Sequence, residues 1–99
     1  MVMKKQNYRD AYERFLKIDL HTIKTLASCK TKEQCDNCFQ WCLDLIRRLK
    51  QYCIDQYNEC YIAKYRCLWQ SLISDLDQSI NYYKIAYKLQ LQQIYDRQF

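Results

Sequence analysis

Apolar residues recur at spacings of three and four along most of this chain, the period of a helix with one buried face. Near the start, Tyr8, Tyr12, Phe15 or Leu16, Leu20, Ile23 and Leu26 keep that spacing, which predicts a helix over 8–27 with this face turned inward. The stretch SCKTKEQ then breaks the pattern. Thr31 is a good N-cap, and Gln34 three residues later completes a capping box. Glu33 suits the positive end of the helix dipole. A second helix therefore starts at Lys32, with Cys35, Cys38, Cys42, Leu45 and Leu49 on its apolar face.

The end of that helix is unmarked. RRLKQYC holds no breaker, so a single helix through to Leu72 fits the pattern. A turn near Lys50–Tyr52 fits it too, with Arg47, Arg48 and Lys50 then capping the C-terminal end. Further on, SLISDLD offers Ser71 or Ser74 as a new N-cap, with Asp75 and Asp77 as N-terminal charges. Ile73, Leu76, Ile80, Tyr83, Tyr87, Leu91 and Ile94 alternate spacings of three and four, which predicts a long last helix over 72–96.

Composition sharpens this picture. The 99 residues include no glycine and no proline, so the tight turns of sheets and barrels have no supply. The expected fold is all-α, a single domain of three or four helices over 1–99, with a cysteine-bearing hairpin over 32–70 between the first and last helices. Ten Tyr, two Trp and three Phe exceed what a small core hides, which points to a protein partner. The net charge of +5 comes from scattered residues and forms no dense basic run, so no nucleic-acid partner is expected. No apolar run reaches the length of a membrane span. MVMKKQNYRDAYERF has no apolar leader segment, and Asp10 and Glu13 are out of place in a transit peptide, so the mature chain is expected to start near Met1.

The chain has seven cysteines. Cys35 and Cys42 are seven residues apart, and so are Cys60 and Cys67, so each pair lies on one helical face. The four positions are mirror-symmetric about Gln51. An antiparallel hairpin turning there would set Cys42 against Cys60 and Cys35 against Cys67 for two disulfides, Cys35–Cys67 and Cys42–Cys60. The inner bridge would be worth roughly 3 kcal/mol through the unfolded state. Cys29, Cys38 and Cys53 stay outside these bridges and read as small buried hydrophobes.

In size, charge, helicity and the expected lack of a presequence the chain resembles, over residues 35 to 67, the disulfide-clamped coiled-coil-helix-coiled-coil-helix proteins and the small translocase chaperones of the mitochondrial intermembrane space. Those families pair C-x9-C or C-x3-C motifs, whereas the twin spacing here is C-x6-C. The resemblance implies oxidation in the intermembrane space and a structural role as an accessory subunit of a respiratory-chain complex. Without it, a cytoplasmic location is expected.

Two other readings compete. Cys35, Cys38 and Cys42 occupy i, i+3 and i+7 of one face, and thiolates select Cu(I) or Zn(II), which makes a Cu(I)-binding helical bundle the alternative. A small protein-binding inhibitor with reduced thiols is the other. An enzyme is not expected. The single histidine, His21, borders the apolar face of the first helix and has no partnered nucleophile, and no Gly-rich phosphate loop exists. Tyr57, Tyr61 and Tyr65 step by four with Lys64 and Arg66 between them, a stripe suited to packing against a protein. Together with Trp69, Tyr83 and Tyr87 these residues form the expected partner surface. No cofactor is expected. The partners would be other subunits of a complex, with the chain at most peripheral to a membrane.

Overall fold

The computed structural model describes residues 4–97, so the expected start at Met1 lies outside the described residues. Helices account for nearly all of it: α1 spans Lys4–Ser28, α2 spans Lys32–Glu59 and α3 spans Ala63–Arg97. The all-α expectation holds, with three helices. They lie side by side in a rod of 59 × 17 × 15 Å. Contacts between helices set the directions. Asp36 on α2 meets Tyr87 on α3, and Lys50 meets Asp77, so α2 and α3 are antiparallel. Tyr8 packs on Trp69 and Asp19 bonds Tyr83, so α1 and α3 are parallel.

The α1–α2 connection forms where Thr31 predicted it. Thr31 has extended backbone angles, φ −127° and ψ 157°, and its Oγ1 accepts from the Gln34 amide at 3.1 Å. The Gln34 side chain reaches back one residue further than a standard capping box and accepts from the Lys30 amide at 2.9 Å. Gln90 on α3 is buried and donates to the Cys29 carbonyl at 2.7 Å, which fixes this connection to the bundle.

The hairpin turns at Cys60–Ile62 instead of Gln51. Arg47, Arg48 and Lys50 are good helix formers and continue α2 through the expected turn. Arg48 pairs with Asp44 at 2.9 Å along the helix, and Lys50 pairs with Asp77 across to α3 at 2.6 Å. At the actual turn the Cys60 amide donates to the Tyr57 carbonyl at 3.3 Å, and the Ile62 carbonyl accepts from Tyr65 and Arg66 at 3.0 Å. The Arg66 guanidinium lies 4.3 Å from the centre of the Tyr57 ring, a cation–π contact that ties the two sides together. α3 then runs through Ser71 and Ser74 without a break, so neither serine caps a helix and Asp75 and Asp77 lie in its interior.

This geometry removes both expected disulfides. Cys42 and Cys60 are on the same helix or its cap, 18 residues apart, which is about 27 Å at 1.5 Å per residue. Cys35 lies near the start of α2 and Cys67 one turn into α3, at opposite ends of the rod. All seven cysteines are free thiols.

The core has two parts. One gathers Ala11, Phe15, Ile46, Leu49, Trp69, Leu72 and Leu76 around the middle of the rod. The other gathers Leu26, Cys29, Cys35, Cys38, Cys42 and Ile94 at the α1–α2 connection. The α3 face follows the predicted period, with Leu76, Tyr83 and Ile94 buried. On α1 the buried line is Ala11, Phe15, Thr22 and Leu26. Tyr12, Leu16, Leu20 and Ile23, expected to face inward, are exposed, because α1 is apolar over a wider arc than α2 and α3 cover. Among the described residues no helix is long and apolar enough to cross a membrane.

Candidate functional site

Four thiols converge at the α1–α2 connection. Cys35, Cys38 and Cys42 follow one another along the buried face of α2, and Cys29 enters from the connection itself. Cys38 Sγ and Cys42 Sγ are 4.0 Å apart. Cys29 lies close enough to Cys35 and Cys38 to help raise the pKa of both thiols. Leu26, Ile94, Phe39 and Leu91 pack around the four thiols, and a few polar groups reach the sulfurs. Thr22 Oγ1 is hydrogen-bonded to Cys42 Sγ at 3.0 Å, Cys29 Sγ donates to the Thr25 carbonyl at 3.1 Å, and Cys35 Sγ points to the Tyr87 carbonyl at 4.0 Å.

Burial first, then the neighbouring thiols, pushes Cys35 up to about 11 and Cys38 up to about 12. Burial also raises Cys42. These groups are therefore neutral near pH 7 and poor nucleophiles. Cys35, Cys38 and Cys42 do share one buried face, as the metal-binding alternative required. Among the described residues, however, no three His, Cys, Asp or Glu side chains are arranged to hold a metal ion. Cys29 was not part of the expected set, since the sequence left it in a segment with no periodic face.

A cleft of about 680 Å³ opens between α1 and α2 beside these thiols. Cys29 and Cys38 line it, with His21, Thr25, Asn37 and Trp41. The His21 ring meets the Trp41 ring edge-on at 5.1 Å, and His21 Nε2 is 3.3 Å from Thr25 Oγ1. The other cysteines are dispersed. Cys53 is fully buried in the central core, where burial pushes it up to about 11. Cys60 caps α2 and Cys67 is exposed on α3.

The second notable surface lies on α1 and α3. Leu16 and Leu20 on α1 are 48% and 57% exposed, and Ile85 and Leu89 on α3 are 58% and 61% exposed. Ile23 and Tyr82 extend these stripes and line one groove of about 460 Å³ between the two helices, with Phe15 and Asp19. Leu16, Leu20 and Ile23 keep helical spacing, as do Tyr82, Ile85 and Leu89. Large apolar side chains grouped at helical spacing on adjacent helices mark an interaction surface.

The expected partner surface does not assemble. Trp69 and Tyr83 are fully buried, and Tyr83 donates to Asp19 Oδ1 at 2.6 Å. Tyr87 is half-buried, stacked on Phe39 with centroids 4.4 Å apart and donating to Asp36. Tyr57, Tyr61 and Tyr65 fall on α2, the turn and α3 in succession, so they form no stripe, and only Tyr61 is fully in solvent at 97% exposure. The surface that does form had a signal in the sequence. Tyr12, Leu16, Leu20 and Ile23, added to Ala11, Phe15, Ile18 and Leu26, make α1 too broadly apolar for one buried stripe.

Comparison with protein families, with curated proteins and with solved structures found no match to this chain.

Proposed function

We propose that this chain is a non-catalytic helical subunit that joins a larger protein assembly through the α1/α3 face. One observation carries the reading. Four large aliphatic side chains, Leu16, Leu20, Ile85 and Leu89, are each about half exposed or more on two adjacent helices. Two parallel helices with a groove between them offer a seat for an amphipathic helix, which would complete a four-helix arrangement. Scattered charges of both signs fit a protein partner better than a polyanion. The chemistry of the interior supports a structural role as well. The buried thiols are held neutral, and the single histidine packs against Trp41 and Thr25.

The reading predicts that the face binds an apolar fluorescent probe, and that Leu16→Glu with Leu89→Glu removes that binding while helix content and unfolding midpoint stay as they were. A double variant that unfolds, or a wild-type chain that leaves the probe dark, overturns it.

A further inference from the structure

We propose that Cys38, which lines the α1/α2 cleft, and the fully buried Cys42 hold one cuprous ion between their sulfurs. This inference is independent of the α1/α3 face.

The two sulfurs are one helical turn apart on the same face and 4.0 Å from each other. Cu(I) is a soft d10 ion that takes thiolates and is satisfied with two of them in line. Two metal–sulfur bonds of about 2.3 Å place such a pair roughly 4.6 Å apart, within a small rotation about each Cys χ1. The pair is therefore close to the required span before any metal arrives. Structural Zn(II) takes four ligands in a tetrahedron. No such group exists among the described residues, where even three ligands are not arranged together. The geometry thus separates the two soft metals and favours the one that needs fewer donors.

Access and surroundings agree. Cys38 lines the cleft, so an ion reaches it from solvent past His21 and Trp41. Cys29 lines the same cleft but is not one of the two ligands. Thr22 holds the Cys42 sulfur in place at 3.0 Å. Binding is a ligand exchange without electron transfer. Each thiol gives its proton to solvent, two Cu–S bonds form, the bonds to the carrier that delivered Cu(I) break, and copper stays monovalent.

The test uses the full chain, reduced and kept without oxygen. Cu(I) delivered as its acetonitrile complex is titrated in, and thiolate-to-copper absorbance and native mass are read. One copper per chain is expected. Cys38→Ser and Cys42→Ser should each weaken retention against a Cu(I) chelator by roughly tenfold or more. Cys53→Ser and Cys67→Ser should change nothing, and Zn(II) should not compete. Copper retained at wild-type strength in the Cys38→Ser, Cys42→Ser double variant overturns the proposal, and so does equal binding of Zn(II). If the serine variants lose their helicity, X-ray absorption of the wild-type copper form decides. Two sulfur neighbours support the site, and three or more ligands overturn it.

Discussion

The Tyr83 hydroxyl donates to Asp19 Oδ1 at 2.6 Å, joining α3 to α1 across 64 residues of chain. Tyr83 is fully buried, and burial first, then the Asp19 carboxylate, holds its phenol above the ordinary range. A hydrogen bond to a charged group is worth about 1.5–3 kcal/mol. Tyr83→Phe should therefore lower stability by about 1.5–3 kcal/mol in urea unfolding, with helix content unchanged. An unchanged midpoint would show that α1 and α3 are held together without this bond.

Trp69 is the largest fully buried side chain, edge-on to both Tyr8 and Tyr52. Truncating it should cost about 3–5 kcal/mol, as for other large aromatic residues. Its indole Nε1 is buried without a hydrogen-bond partner. Trp69→Phe relieves that group while losing volume, so its cost should stay well below that of Trp69→Ala. Equal losses in the two variants would contradict this account of the core.

Six cysteines are buried and one, Cys67, is exposed. Brief alkylation of the folded protein should add one label, mapped to Cys67 by peptide mass. Denaturation without reductant should then expose the remaining thiols to label. Four cysteines still protected after denaturation would restore the disulfide hairpin that the structure excludes.

Stability should fall at both ends of the pH scale, for different groups. The Asp36 hydrogen bond, then burial, raises Tyr87 to about 12, and burial first raises Cys35 and Cys53 to about 11 and Cys38 to about 12. A group raised in the folded state contributes stability below its ordinary value and loses it as pH climbs through the folded value. The thiols start from 9.0 and the phenol from 10.0, so melting temperatures should decline from about pH 9 to pH 12. Asp36 moves the other way, lowered by its bonds to Lys32 and then Tyr87. Its contribution is present above the ordinary 3.8 and disappears as pH falls through the lowered value. Asp36→Asn should flatten the acid limb. A melting temperature constant from pH 9 to pH 12 would contradict the burial of these thiols.

Several of these features were written in the sequence. Thr31 and Gln34 marked the start of α2 because a cap is a local hydrogen bond between near neighbours. The inward face of α3 was legible because Leu76, Tyr83 and Ile94 obey a period that packing on one side enforces. The turn at Cys60–Ile62 was not, because it has neither glycine, proline nor a side-chain cap. Its place follows from pairing α2 against α3 through Asp36 with Tyr87 and Lys50 with Asp77. The mirror arrangement of Cys35, Cys42, Cys60 and Cys67 was misleading for a related reason. Cys35 and Cys42 are seven apart because the buried face of α2 repeats at that interval, whereas Cys60 is at a cap and Cys67 faces solvent. The residues that carried the likeness to the intermembrane-space families therefore do not meet across the hairpin. On α1 the spacing of three and four was present twice, and only contact with α2 and α3 decides that Phe15 is buried and Leu16 exposed.

The apolar stripe of Leu16, Leu20, Ile85 and Leu89 stands or falls on mass in solution. Sedimentation equilibrium of the purified chain should give a mass above the 12.3 kDa of one copy that rises with concentration, as the uncovered faces find one another in the absence of another partner. Leu16→Glu with Leu89→Glu should return it to a single copy. A wild-type chain that is stable and monodisperse at 12.3 kDa would contradict the assignment of this face as an interface.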